Sequence, residues 1–340
     1  MAQAFDVVTV GSVIRDITMF TAQGRVFKTP DNLTAQRVIG FEYGAKVKVS
    51  NAHFSSGGGA GNAAVTFQSL GLRTAIFTRV GADAEGAHLC NDLRRYGVST
   101  NFLQFDEHQH TALSCIVASS RGEHDHVVLV YRGASANLRL EPSVISRVRP
   151  RWFYVTALCG DNWQANLKQI FSAADRTGAK IFWNPGGEQL AAGRRALERY
   201  LKHTTVLQLN KDEAIELVLS GITLGKRNPS FLNRPLYLLN ILSDWGPKIV
   251  VITDGEHGAY ALSDSKVYRQ KSLRRKVVDT TGVGDAFGAA FVAGLLASKG
   301  MVADALQWGV VNSANVLTEV GAQQGILSKP ELVRQLKRLR

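Results

Sequence analysis

Past residue 150 the chain repeats one pattern: a short apolar run, then a longer stretch with helical spacing. The runs are Trp152 to Thr156, Lys180 to Trp183, Val206 to Leu209 and Ile249 to Thr253. Their length suits strands buried on both faces, with amphipathic helices between them. Such alternation has few solutions. A crossover helix returns the chain to the end where the previous strand began, so successive strands lie parallel, and the helices cover both faces. The pattern predicts a three-layer α/β/α, Rossmann-like domain. A length of 340 residues accommodates one such domain with a small addition. A hydrophobic content of 45% is enough for its core.

The first half starts the same way and is then interrupted. Phe5 to Val10 is an apolar run ending at Gly11. Ala60 to Leu70 reads as a helix stopped by Gly71, Thr74 to Val80 as a strand, and Ala84 to Tyr96 as a helix closed by Gly97. Residues 15–50 instead carry turn signals at Gln23-Gly24, Pro30-Asp31-Asn32, Gly40 and Gly44, and alternate at Lys46 to Val49. Thr111 to Tyr131 also alternates, around a hairpin signal at Ser119 to Glu123. The expectation is one small β lid formed by two insertions, 15–50 and 107–133. It covers a main domain of residues 1–14, 51–106 and 134–340. An open lid edge offers a second copy a route to a homodimer.

Composition narrows the function classes. Cys90, Cys115 and Cys159 are widely spaced, with no Cys/His cluster for zinc, and fit reduced thiols. The opening MAQAFDVVTVGS has no basic n-region and no long apolar run. It reads as a first strand, so a cytoplasmic protein is expected. No apolar stretch reaches membrane-span length, and no membrane partner is expected. The net charge of +12 would attract phosphates or nucleic acid. Its densest runs, Lys271 to Lys276 and Lys337, Arg338 and Arg340, lack interleaved aromatics. No specific nucleic-acid partner is expected.

Chemistry concentrates in two glycine segments. The first is Ser55-Ser56-Gly57-Gly58-Gly59-Ala60-Gly61-Asn62. Its Gly59-x-Gly61-x-x-Ala64 also fits a dinucleotide-binding fingerprint. That fingerprint normally opens the first strand–helix unit, and here a strand and an insertion come first. The second segment is Asp279-Thr280-Thr281-Gly282-Val283-Gly284-Asp285-Ala286-Phe287. It follows the strand-like Lys276 to Val278 and opens an apolar helical stretch, Ala286 to Ala297. Glycines there free backbone N–H groups to face an anion at a helix start. Asp285 would repel a phosphate unless it serves as a base beside a reacting phosphoryl group. Spacing alone leaves a capped helix equally open.

DTTGVGDAF resembles the DTxGAGDxF signature of the ribokinase-like (PfkB) carbohydrate and nucleoside kinases, with Val283 where alanine is usual. The resemblance implies a ribokinase-like fold and ATP-dependent phosphorylation of a hydroxyl of a small sugar, or, as the alternative, a nucleoside. A sugar-sensing pseudokinase is the non-enzyme alternative. Asp285 is then the general base, and Gly282, Val283 and Gly284 the anion hole. Gly57, Gly58 and Asn62 match the family's N-terminal GGxxxN signature, which contacts the sugar. Ribokinase itself has a lysine where Gly59 stands, which puts a ribose-specific contact in doubt. Asp16 matches the aspartate that binds sugar hydroxyls, a role suited to a carboxylate accepting two adjacent O–H groups. Asn210-x-x-Glu213 resembles the NxxE motif, with Glu213 holding Mg²⁺ through water; taken alone, the spacing is more often a helix cap.

The remaining matches place the nucleotide. Thr253, Gly255 and Gly258 resemble the nucleotide-binding turn, and Asn184-Pro185 the NP turn beside it. Asn312 stands where relatives border the adenine, and an Asn that caps or bridges helices is at least as open a reading. Arg132-Gly133-Ala134 and Asn137 resemble the segment returning from the lid, and Arg132 could meet a phosphorylated acceptor. Asp279 and the turn from Gly321 to Gly325 lie where relatives bind a monovalent cation through backbone carbonyls, which makes K⁺ a candidate beside ATP and Mg²⁺. Phe20, Phe41 and Tyr43 could offer a nucleobase an aromatic surface. His108 and His110, on an expected lid strand, read as lid surface, and Lys211 and Asp212 carry no assigned role. No Walker A sequence is present.

Overall fold

The computed structural model describes residues 5–28, 37–119, 126–224 and 229–339. The turn signals at Pro30-Asp31-Asn32 and across 120–123 lie outside them, as does Arg340. In chain order the strands are β1 (Val7–Val10), β2 (Ile14–Thr21), β3 (Arg25–Lys28), β4 (Arg37–Gly40), β5 (Asn51–Gly57), β6 (Thr74–Gly81), β7 (Ser99–Asp106), β8 (Leu113–Ser119), β9 (His126–Tyr131), β10 (Trp152–Val155), β11 (Lys180–Trp183), β12 (Val206–Asn210), β13 (Ile249–Thr253), β14 (Ala259–Ser263) and β15 (Lys266–Gln270).

Nine of them form the main sheet, in the order β15-β14-β13-β12-β11-β10-β1-β6-β7. From β13 to β7 every pairing is parallel. β14 and β15 add an antiparallel edge. All four residues of β1 and of β10 are buried, as strands covered on both faces must be. Side chains alternate along β10. Phe153 and Val155 join one core cluster with Trp183 and Leu207, under helices Trp163–Thr177, Gly187–Leu201, Lys211–Leu219 and Pro235–Asp244. Trp152 and Tyr154 join the other with Phe182 and Phe291, under helices Gly59–Ser69, Val283–Ala297 and Val302–Val316. Each large apolar side chain so buried contributes about 1.5–3 kcal/mol.

The chain leaves β1 toward β6 and β7 on one side, while β10 and its successors extend the other. The loops after β1 and β10 therefore diverge and open a crevice at the strand ends.

A second sheet has the order β5-β2-β8-β9 and takes in strands from both segments expected to build the lid. β2 pairs antiparallel with β5 and parallel with β8. β5, which lies in the range expected for the main domain, pairs in this second sheet, and β3 and β4 form a separate two-stranded hairpin. Lys46 to Val49 is not a strand. Lys48 gives its carbonyl to Oγ1 of Thr21 and its N–H to Oε1 of Gln23, so side chains have taken the place of a strand partner. Lys276 to Val278 is likewise no strand, and the N–H of Val278 donates to the carbonyl of Leu317. His108 and His110 sit in the turn between β7 and β8, since the carboxylate of Asp106 captures the N–H groups of His108 and Gln109. Among the described residues no helix is long and apolar enough to cross a membrane.

Candidate active site

The two glycine segments meet at the crevice. Gly58 follows β5 at φ +89°, and a Cβ there would come within 2.5 Å of the carbonyl oxygen of Ser12, just past β1. Only glycine lets the chain turn this tightly into helix Gly59–Ser69. The strand before that helix belongs to the lid, so the dinucleotide fingerprint lacks its strand–helix context. Asn62, in the first turn of the helix, donates from Nδ2 to Oδ2 of Asp285 at 2.9 Å. Gln323 Nε2 donates to Oδ1 of Asn62 at 3.3 Å and holds the amide in that orientation. A Cβ on Gly59 would stand 3.1 Å from Cβ of Thr156 and 3.2 Å from Oδ1 of Asp285. A side chain at position 59 would thus press on the carboxylate.

Gly282 is the N-cap of helix Val283–Ala297, at φ +72°, with Ala322 filling the space where its Cβ would be. The next residues, Val283 and Gly284, begin the helix, at the positive end of its dipole; the N–H of Val283 makes a long bond of 3.5 Å to the carbonyl of Thr280. Asp285 lies within that turn. Burial raises its pKa, and the bond from Asn62 opposes the rise. Asp279 is buried and fully engaged: Oδ1 accepts from the N–H and hydroxyl of Thr281, Oδ2 from the N–H of Gly321 at 2.9 Å. The carboxylate ties the two loops together.

Asp16 projects from β2 on the buried face of the lid, with 3% of its surface exposed. Burial raises its pKa to about 6, with the charges of Asp285 and Asp279 adding to the rise, while a hydrogen bond from the Ser114 hydroxyl opposes it. Gly57 on the neighbouring strand leaves room for it; a Cβ there would stand 1.8 Å from Oδ2.

The opposite wall begins at the end of β12. Asn210 caps helix Lys211–Leu219 by accepting from the N–H of Glu213, and Glu213 Oε2 accepts from the N–H of Asn210 at 2.8 Å. Burial raises the pKa of Glu213, and the charge of Asp285 contributes, so the two carboxylates share one electrostatic environment. Lys211 pairs with Asp254 at 2.7 Å, just before the turn Gly255–His257. Thr253 ends β13, and Gly255 and Gly258 both take positive φ in that turn. Asn184 follows β11 and donates to the carbonyl of Gln208 at 3.0 Å.

Asn312 is fully buried, donating to the carbonyl of Ala286 and accepting from the N–H of Leu327, so its amide bridges helices beneath the site. Asn137 donates to Asp106 at 2.9 Å, and Arg79 pairs with the same carboxylate. These bonds hold the pKa of Asp106 down to about 2, with Asn137 the largest cause. Of the aromatic residues of the first insertion, Phe20 packs edge-on against His53, and Phe41 and Tyr43 are exposed. Sequence reading missed Ser114, Gln323, Asp106 and the Lys211–Asp254 pair. None has a local signature, because each is defined by a partner distant in the chain or by strand register.

The profile of the pfkB family carbohydrate kinases matches residues 6–329. The chain belongs to that family. It is therefore a phosphotransferase with an alcohol group as acceptor. An Archaeoglobus fulgidus protein described as an uncharacterized sugar kinase is 28% identical over 263 residues, 76% of this chain and 96% of that protein. Two solved structures share the kinase's fold. Arabidopsis thaliana ribokinase, complexed with ribose and ATP, aligns with a TM-score of 0.77 at 18% identity, over 98% of this chain and 99% of that one. A Burkholderia thailandensis nucleoside kinase, in complex with inosine, aligns with a TM-score of 0.77 at 18% identity, over 98% of each chain. The kinase thus has the ribokinase fold.

Proposed function

We propose that this kinase transfers the γ-phosphoryl group of ATP to a hydroxyl of a small ribose- or ketose-like sugar, with Asp285 as general base. The observation that carries the reading is the bond between Asn62 and Asp285, which brings the sugar-side and phosphate-side glycine segments onto one carboxylate. The raised pKa of Asp285 moves it toward the range where a base works near neutral pH. Asp285 takes the proton of the attacking hydroxyl. Asn62 keeps the carboxylate aimed, and Asp16 holds neighbouring hydroxyls from the lid side. The turn Gly282–Gly284 presents N–H groups to the charge that develops on the transferred group. The lid excludes water, which would otherwise compete as acceptor.

Nucleotide binding is assigned to Asn184, Asn210 and the turn from Thr253 to Gly258. Burial and then the charge of Asp285 raise the cost of ionising Glu213, which a hard cation beside these oxygens would offset. Glu213 would hold Mg²⁺ through water, and the ion would neutralise phosphate charge. A K⁺ site would use backbone carbonyls of the loops that Asp279 joins. A homodimer would form through the lid, where β9 is an open edge.

The test is ADP release with Mg-ATP across ribose, fructose, other ketoses, adenosine and inosine, in wild type and Asp285→Asn. Turnover of a sugar that disappears in the variant supports the reading. Preference for a nucleoside favours the alternative acceptor, and no turnover with any alcohol overturns it.

A further inference from the structure

Asp16 and Ser114 come from different insertions. They stand opposite each other in the parallel pairing of β2 with β8, where the register aligns Asp16 with Ser114 and Thr18 with Ile116. Burial alternates along both strands, and both residues fall on the covered face. The hydroxyl of Ser114, 1% exposed, donates to Oδ1 of Asp16. Oδ2 lies against Gly57, in the space that a side chain there would take. The hydroxyl from the second insertion and the glycine of the neighbouring strand thus fix the two carboxylate oxygens in one orientation.

We propose that Ser114 is a positioning residue for acceptor binding: its hydroxyl fixes Oδ1 of Asp16 so that Oδ2 meets the hydroxyls of the acceptor. The inference rests on the reading of Asp16 as the acceptor-binding carboxylate. It assigns the second insertion a part in that site beyond covering it. The same hydrogen bond favours the ionised form of Asp16, against burial and the charges of Asp285 and Asp279. Ser114 therefore helps to fix where the charge points and, together with the charge of Arg15, lowers the pH at which it exists.

The variants are Ser114→Ala, Ser114→Thr and Asp16→Asn. Two measurements are made: kcat/KM for the best acceptor among ribose, fructose and adenosine across pH, and the ¹³Cγ titration of Asp16 in the free enzyme, which needs no acceptor. Ser114→Ala is expected to raise the acceptor KM roughly ten- to a hundredfold near neutral pH, the loss of one hydrogen bond to a charged group. KM for ATP stays close to wild type, and circular dichroism confirms that the fold is kept. The acid limb of kcat/KM and the Asp16 titration both move to higher pH, and Ser114→Thr, which keeps the hydroxyl, restores both. An Asp16 titration unchanged in Ser114→Ala overturns the inference, while a weakened acceptor KM in Asp16→Asn leaves the reading of Asp16 standing. An unchanged acceptor KM in Asp16→Asn overturns that reading and this inference with it.

Discussion

Nδ2 of Asn62 lies 2.9 Å from Oδ2 of Asp285, although 223 residues separate them in the chain. The bond leaves Oδ1 of Asp285 on the side facing Gly59 and Thr156, at the mouth of the crevice. An amide donor fixes the rotamer of the carboxylate without neutralising it.

Asp285→Asn is expected to lower kcat by roughly 10²- to 10⁴-fold, the usual contribution of a general base. Nucleotide affinity should hold or rise, because a negative charge near the phosphates is removed. If Asp285 served only the start of its helix, the variant would instead lose about 0.5–2 kcal/mol of stability with turnover largely kept. Steady-state kinetics and thermal melts on one variant separate the two.

Glu213→Gln should raise the Mg²⁺ concentration needed for half-maximal activity. Glutamine retains an oxygen to accept from the N–H of Asn210, so the helix cap survives while the charge is lost. A Mg²⁺ titration of activity checks this, and superimposable curves would remove Glu213 from the metal site.

Asp16 should set the acid limb of acceptor kcat/KM near pH 6, where its carboxylate takes up a proton in the folded enzyme. Stability carries the opposite sign. A pKa raised from 3.8 means that the folded state binds this proton more tightly than the unfolded chain. Protonated Asp16 therefore favours the fold at low pH, and its ionisation costs stability as pH climbs from 3.8 toward 6. Activity should accordingly be lost below about pH 6 with the fold intact. Kinetics and near-UV circular dichroism over the same pH series test this; coincident loss of both signals would attribute the limb to unfolding.

The edge strand β9 exposes Val127, Val128, Leu129, Val130 and Tyr131 in succession, Leu129 at 60%. Neither face of the strand is covered, an arrangement that invites pairing with another chain. The protein is expected to sediment as a dimer, and Leu129→Lys with Val127→Lys to shift it toward monomer. A wild-type protein that stays monomeric at high concentration counts against the lid interface.

Asp106→Asn should destabilise the kinase by about 1–3 kcal/mol, the cost of weakening buried hydrogen bonds to charge. This carboxylate gathers Arg79, Asn137 and the turn at His108 at the root of the lid. Its low pKa gives a stabilisation present above the unfolded value of 3.8 and lost as pH falls through about 2. Denaturant melts of wild type and variant at neutral pH measure the difference.

The strand–helix alternation after residue 150, the two glycine turns and the capping pair Asn210 and Glu213 were legible from the chain alone. Each depends on forces that act within a few residues: hydrophobic period, the steric freedom of glycine and the competition of side chains for backbone groups. Partners distant in the chain were not legible. Alternation at Lys46 to Val49 looked like a strand, yet Gln23 and Thr21 claimed the backbone of Lys48 first. β5 carries the start of a motif that reads as part of the main domain, and only its pairing with β2 moved it into the lid. Asn312 carries a polar group that suits a ligand, but helix packing buried it and gave it backbone partners. Ser114 became more than one polar residue in a β region only when strand register placed it against Asp16. Register and packing are set by the whole hydrophobic core at once, so the tertiary structure decided which carboxylate each polar side chain would meet.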